Sequence, residues 1–424
     1  MNYNQNIRIA QVTESTLIVG VDIGSTTHFA RAFNWRGIEL GKVFKFSNTR
    51  EGFLSFEEWI ELLQGRNGKK SVIVGAEPTG HYWFSIGAYL EDAEIPFVMV
   101  NPYHVKQSKE LDDNSQTKND RKDPKVIAKL VVDGRYSKPY VPKGVYADLR
   151  VATASRQRIV NELTSVKNRI CRWFSIYFPE YLDVFGSFEA ESSVMVLKKA
   201  PVPSDIIKLG VEGINQIWRD VKLRAVGIKR AKTLVEAAQK SIGCKEGLEA
   251  ARMDIELLIM DYEYKKAQYD RIMEHIEELC RQIPESSQML AIKGIGLISV
   301  SGFLAEVGDI RRFDSPKQIQ KLAGLSLREN SSGKHKGQTT ISKRGRSRLR
   351  AILFNAVIPL VAKNPEFRSI HQYYISRDKN PLKKKQSIIA VCCKLIRIFY
   401  AILSKGIAYD SMKMQEDIRR PQAA

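Results

Sequence analysis

Apolar positions along this chain follow two rhythms, and the change of rhythm divides it in three. From about residue 17 to about residue 145, short β-rich runs alternate with helical ones. Residues 17–23, ended by Gly24, residues 27–33 and residues 39–46 read as strands, with a turn at residues 34–37. Residues 51–63 read as an amphipathic helix with Phe53, Phe56, Ile60 and Leu63 on one face. A buried-type strand at 71–76, a helix at 83–90, a strand at 97–100 and a helix at 125–132 follow. The pattern predicts an α/β domain over residues 1–145.

From residue 146 to 285 the rhythm is helical throughout. Ile159, Leu163, Val166, Ile170, Trp173 and Tyr177 recur at steps of four and three until Pro179. Ala251, Ile255, Leu258, Tyr262, Lys265, Tyr269, Ile272, Ile276 and Leu279 repeat the spacing, with Lys265 alone breaking the seam. This predicts a long coiled-coil linker, whose two helices pair either within one chain or between subunits. Residues 286–424 read as a mainly helical C-terminal domain. There Lys293, Gly294 and Gly296 form a GxG turn between two short helices. It is either an ordinary turn or a helix-hairpin-helix-like element, whose glycines let backbone N–H groups approach a phosphate.

Charge narrows the function. The chain has 67 basic and 47 acidic residues, a formal net charge of +20, which favours a polyanionic partner. Between Glu329 and Glu366 no acidic residue occurs, while Lys334, Lys336, Lys343, Arg344, Arg346, Arg348 and Arg350 crowd the first half. A second cluster is Lys379, Lys383, Lys384 and Lys385. Both suit nucleic-acid phosphates. The five cysteines form no CxxC pair, and no apolar run reads as a membrane span or signal peptide. A cytoplasmic protein with no membrane partner is expected.

Four carboxylates carry the candidate chemistry. Asp22 and Glu77 end strands, where α/β sheets usually hold ligands, and Asp120 and Asp123 precede or begin the helix at 125–132. Asp123 suits an N-cap, with Pro124 at the first helical position. Four carboxylates converging on one rim need a cation, and an all-oxygen donor set suits one or two Mg²⁺ ions, the arrangement used for phosphoryl transfer. Three strands followed by helix–strand–helix–strand is also the order of a ribonuclease-H-like fold. The segment Val21-Asp22-Ile-Gly24-Ser25-Thr26-Thr27 looks like the first phosphate motif of sugar kinases and actin-like ATPases. Those proteins need a second strand-borne DxG turn, and here Asp133-Gly134 follows a helix.

Further motifs carry a family resemblance that covers nearly the whole chain. They are Val19-Gly-Val-Asp22, Gly75-Ala-Glu77-Pro-Thr-Gly80-His-Tyr82, Asn101-Pro102 and Lys118-Asn-Asp120-Arg-Lys-Asp123. Downstream come Ile295-Gly296, Glu306-Val-Gly308-Asp309, Ala323-Gly324-Leu325, Ser332-Gly333 and Ile341-Ser-Lys343-Arg-Gly345. In this order they resemble the DEDD transposases of insertion-sequence family 110, the bridge-RNA-guided recombinases. Pro124 departs from the family, which usually has a small helix former there.

The resemblance implies a RuvC-like N-terminal domain, a coiled-coil linker and a C-terminal transposase domain with a nucleophilic serine before a glycine. That places the nucleophile at Ser332; the adjacent Ser331 leaves a choice of one position open. The resemblance further implies DNA cut and rejoined through a covalent phosphoserine, with Mg²⁺ on Asp22, Glu77, Asp120 and Asp123. It also implies a dimer or tetramer, a structured noncoding RNA as guide, and a nucleoid-associated location. The competing expectation is a Holliday-junction or structure-specific nuclease that uses a metal-activated water in place of the serine.

Overall fold

A computed structural model describes residues 3–78, 80–112, 123–328, 331–332, 335–337 and 339–412. The chain forms two compact units, residues 1–141 and 142–424. The helical linker and the C-terminal domain expected from sequence both fall in the second.

The first unit opens with α1 (Tyr3–Ala10) and continues β1 (Thr16–Ile23), β2 (Thr27–Phe33), β3 (Phe44–Ser47), α2 (Arg50–Arg66), β4 (Ser71–Ala76) and α3 (Trp83–Asp92). β5 (Phe97–Val100), α4 (Pro102–Asp112), α5 (Asp123–Val132) and β6 (Tyr136–Ser137) complete it. The sheet order is β3-β2-β1-β4-β5-β6. β1 pairs antiparallel with β2 and parallel with β4, and β5 pairs parallel with β4. Strand alternation sends the two faces into different cores. Leu17, Val19, Val21 and Ile23 join Val72, Val74 and Ala76 beneath α2 and α3. Ile18 and Ile73 pack on the opposite side with Val126, Ile127 and Val131 of α5.

Two details differ from the expectation. The third strand pairs only over Phe44–Ser47, because Gly41, at φ 94°, turns the chain. Upstream, Glu39 contributes a single bridge to Phe33. Asp123, which begins α5 as one expected placement had it, is the helix's first residue rather than its N-cap. The short α1 and two-residue β6 carry too little periodicity to be seen in sequence.

In the second unit α6 (Val145–Tyr177) and α11 (Leu248–Arg281) are long helices of 33 and 34 residues, about 50 Å each at 1.5 Å per residue. They run antiparallel against each other within one chain. Lys265 Nζ meets Glu162 Oε2 at 2.7 Å, Arg169 meets Asp261 at 3.2 Å, and Trp173 Nε1 donates to the Ala251 carbonyl at 2.9 Å. Lys265, the polar break in the seam, therefore has a charged partner, and that bond holds the Glu162 carboxyl below its usual range. Between them lie α7 (Tyr181–Phe185), α8 (Glu191–Lys199), α9 (Pro203–Asp220) and α10 (Ile228–Gln239). These enclose one core around Tyr181 and Trp218, whose polar tips donate to the carbonyls of Ser193 and Ser192.

A second core joins the ends of α6 and α11 near Leu149 and Ile276 to α12 (Glu285–Leu290), α13 (Leu297–Val307), α14 (Pro316–Leu322), α15 (Ser347–Lys363), α16 (Pro365–Ser376) and α17 (Lys384–Lys405). Between α14 and α15 the chain forms β7 (Leu327–Arg328), β8 (Ser331–Ser332), β9 (His335–Lys336) and β10 (Thr340–Ile341). α17 corrects the expectation that no run is membrane-length. It has 22 residues, and an 18-residue stretch of it has a mean hydropathy of 1.9, enough by length and composition to cross a bilayer. Its apolarity has another use here: Val391, Cys392, Leu395, Ile396, Phe399 and Ile402 are buried in the core.

Candidate functional site

The strand register assembles the acidic site. β1 and β4 are parallel, with Gly20 opposite Gly75 and Val21 opposite Ala76. One step further along lie Asp22, still paired with Phe29 of β2, and Glu77, just past β4. Both are half-buried. Because side chains alternate, Asp22 shares the face of Gly20, and Glu77 that of Gly75. That is the face α5 covers. A Cβ on Gly20 would lie 1.9 Å from the Pro124 carbonyl oxygen and 3.0 Å from the Ala128 nitrogen. A Cβ on Gly75 would lie 2.5 Å from Val131 Cγ2 and 3.3 Å from Ile127 Cγ2. The two glycines thus form a seat that lets the start of α5, with Asp123 as its first residue, lie directly on the sheet. The paired glycines were legible as a repeat, since Val19-Gly-Val-Asp22 and Val74-Gly-Ala-Glu77 share one spacing.

Asp120 lies outside the described residues. Among the described residues no three His, Cys, Asp or Glu side chains are gathered closely enough to hold a metal ion. Asp22 and Glu77 nonetheless share one sheet face, and Asp123 opens the helix that packs on that face. Their all-oxygen chemistry suits a hard divalent cation.

The second unit carries the other candidate residues. Ser331 pairs with Lys336 and Ser332 with His335, so both nucleophile candidates stand on a short β-hairpin. Gly333 and Lys334 lie outside the described residues. At its base, Thr340 pairs with Arg328 and Ile341 with Leu327. Lys343 N and Ser342 N donate to the carbonyls of Gly324 and Ser326 at 3.0 and 2.8 Å. The Ala323-Gly324-Leu325 and Ile341-to-Gly345 motifs therefore clasp each other beneath the hairpin.

The basic residues divide by what they touch. Lys293, Lys343 and Arg344 are exposed. Arg346 donates to the Glu306 carbonyl at 2.6 Å and lies 3.4 Å from its carboxylate, while Arg348 sits 3.6 Å from the other carboxylate oxygen. Arg348 also donates to the Thr153 carbonyl of α6 at 2.6 Å. Arg350 donates to the carbonyls of Ala323 and Lys343 at 2.9 and 3.3 Å. Glu306 is buried at 7% exposure, a positioning residue whose motif was visible in the sequence but whose role was not. Its signal was a lone acid in the otherwise apolar helix α13. In the GxG turn Gly294 has φ 98°, and its Cβ would lie 2.9 Å from Leu360 Cα of α15, so packing alone demands a glycine there. Gly296 is exposed at the start of α13.

Comparison with known proteins places the chain. A DEDD transposase model matches residues 19–179, and the model described as "Transposase IS116/IS110/IS902 family" matches residues 286–372. The chain belongs to this transposase family. It is similar to a pilin gene-inverting protein of Moraxella bovis, at 23% identity over 93% of this chain and 98% of that one. It is also similar to the transposase for insertion sequence element IS1111A of Coxiella burnetii, at 23% identity over 74% and 73% of the two chains. A probable family 20 transposase of Pseudomonas aeruginosa is 30% identical over 34% of this chain and 43% of its own. The enzyme is thus a DNA transposase or recombinase. Asp22 and Glu77, the strand-end acids, and Asp123 on α5 all fall inside the first matched region, and the Ser332 hairpin inside the second.

Proposed function

We propose that this transposase cuts and rejoins DNA through a covalent phosphoserine, with Asp22, Glu77, Asp120 and Asp123 as ligands for Mg²⁺. The observation that carries the reading is the placement of Asp22 and Glu77 at adjacent parallel strand ends, on the face where Asp123 begins α5. The β3-β2-β1-β4-β5 order supports a ribonuclease-H-like, RuvC-like domain around them. A divalent ion held there would act as a Lewis acid on the phosphoryl group. The Ser332 hydroxyl attacks phosphorus, forming a serine–phosphate bond as the bond to a deoxyribose oxygen breaks. A hydroxyl on a new strand end then reverses the exchange and frees the serine, so no nucleotide cofactor is consumed. A serine hydroxyl needs activation to do this, which is the task given to the carboxylate site. Lys334, Lys336, Lys343 and Arg344 offset phosphate charge, and Lys293 with the Gly296 backbone contacts it at the hairpin-like turn.

Two partners belong to the reading. α11 presents Met253, Leu257, Met260 and Tyr264 at steps of four, three and four, each between 58% and 65% exposed. This second apolar stripe, apart from the seam on α6, supports coiled-coil association of subunits. Lys383, Lys384 and Lys385 are exposed around the start of α17, where the helix dipole disfavours cations; their presence supports a polyanion such as a structured guide RNA. Incubating the protein with Mg²⁺, that RNA and a recombination substrate tests the reading. A protein–DNA adduct lost in Ser332→Ala and in EDTA is expected. An adduct persisting in Ser332→Ala refutes the nucleophile, and cleavage without any adduct favours a nuclease using water.

A further inference from the structure

The acidic site has a basic neighbour on the same sheet face. Asp22 pairs directly with Phe29 of β2, and Phe29 pairs with Lys45 of β3, so the three form one row across the sheet. Directly opposed residues of antiparallel strands point to the same side. A groove of about 480 Å³ opens along this row, with Phe29, Arg31, Lys42 and Lys45 in its walls. Arg31 is held by Glu39 through two bonds of 2.6 Å, so that pair is neutral. Lys42 and Lys45 are exposed, and neither forms an ion pair among the described residues. The groove therefore has two uncompensated ammonium groups beside a partly exposed aromatic ring, beginning at the register partner of Asp22. Lys45 stands two strands from Asp22, about 10 Å at the usual strand spacing.

We propose that this groove is a track for the DNA strand being cut, with Lys42 and Lys45 on consecutive phosphates and Phe29 against a base. The assignment rests on reading Asp22 as part of the phosphoryl-transfer site, and deepens it by naming where the strand enters. Charge complementarity selects a polyanion, and the aromatic floor suits an unpaired base, the combination used by sequence-tolerant single-strand sites. The occupant is a DNA strand because the row leads to the carboxylates that act on DNA.

The test uses the full-length protein in EDTA, so that its outcome is independent of metal binding. A fluorescein-labelled 20-nucleotide DNA strand is titrated by anisotropy between 50 and 200 mM salt. Lys42→Ala/Lys45→Ala should lower the salt slope by about 1.4, at about 0.7 per lost single-strand phosphate contact. Over that salt range the difference amounts to about sevenfold in affinity. The remote pair Lys229→Ala/Lys232→Ala on α10 should leave the slope unchanged. A strand carrying 5-iodouracil should cross-link to the tryptic peptide of residues 9–31, which contains Phe29. An unchanged slope, an equal fall in the remote pair, or cross-links confined to other peptides would overturn the proposal. A slope change seen with an RNA strand and not with DNA would overturn the assignment to DNA. Asp22→Asn separates the two readings: it should abolish Mg²⁺-dependent cleavage while keeping the slope, and surviving cleavage would sink the metal reading alone.

Discussion

Gly20→Ala probes the link between the sheet and the chemistry most directly. The added Cβ would meet the Pro124 carbonyl oxygen at 1.9 Å, where ordinary contact begins near 3.4 Å, so α5 must retreat by about 1.5 Å. The obstacle is helix backbone, which has no rotamer to escape into. Overpacking of this kind costs roughly 1–3 kcal/mol, about 3–10 °C in Tm for a unit of this size. Asp123 opens α5, so it moves too, and a misplacement near 1 Å can cost about 10²-fold in rate. Gly75→Ala is the built-in comparison. Its nearest obstacle is Val131 Cγ2 at 2.5 Å, a side-chain methyl that can turn aside, so both losses should be smaller. Urea unfolding and Mg²⁺-dependent strand cleavage on each variant decide the matter. Wild-type stability in Gly20→Ala, or a larger loss in Gly75→Ala, refutes the seat. A destabilised Gly20→Ala with full cleavage refutes its tie to catalysis.

Three other outcomes are expected. Glu306→Ala removes the carboxylate beside Arg346 and Arg348 but leaves their bonds to the Glu306 and Thr153 carbonyls, so it should cost about 2 kcal/mol in urea unfolding, the scale of a hydrogen bond to a charged group; a loss under 1 kcal/mol would show that the carboxylate does not anchor the hairpin base. Iodoacetamide at pH 8 should label the exposed Cys171 and Cys244 in the native protein while sparing Cys280, whose thiol burial pushes up to about 11. The unfolded thiol, at 9.0, loses its proton first, so this group's contribution to stability should fall as pH rises from about 9 to about 11, which Cys280→Ser should flatten in a pH series of urea midpoints. Leu257→Glu/Met260→Glu, on the exposed stripe of α11, should lower the oligomeric mass seen by sedimentation without changing Tm by more than about 2 °C; an unchanged mass would remove the stripe from any subunit contact.

Much of the fold was open to reading because local periodicity and burial agree. β1 and β4 bury nearly every residue, so their apolar runs stand out and their terminal acids are conspicuous. The long seams of α6 and α11 repeat often enough to survive the interruption at Lys265. The strands β7 to β10 are two residues each, too short for any alternation to show, and their pairing depends on the clasp below them. The apolarity of α17 reads equally as membrane or core, and only the surrounding helices settle its role.

By itself, then, the sequence determined the candidate carboxylates, the basic C-terminal segment and the order of elements, since each follows from neighbours within a few turns of chain. The tertiary structure decided which elements meet. Register alone sets Gly20 beside Gly75 under α5, and Asp22 in a row with Phe29 and Lys45. Packing alone ties Arg346, Arg348 and Arg350 to a buried glutamate and backbone carbonyls. Those contacts join residues tens to hundreds of positions apart, where spacing in the sequence carries no information about distance in space.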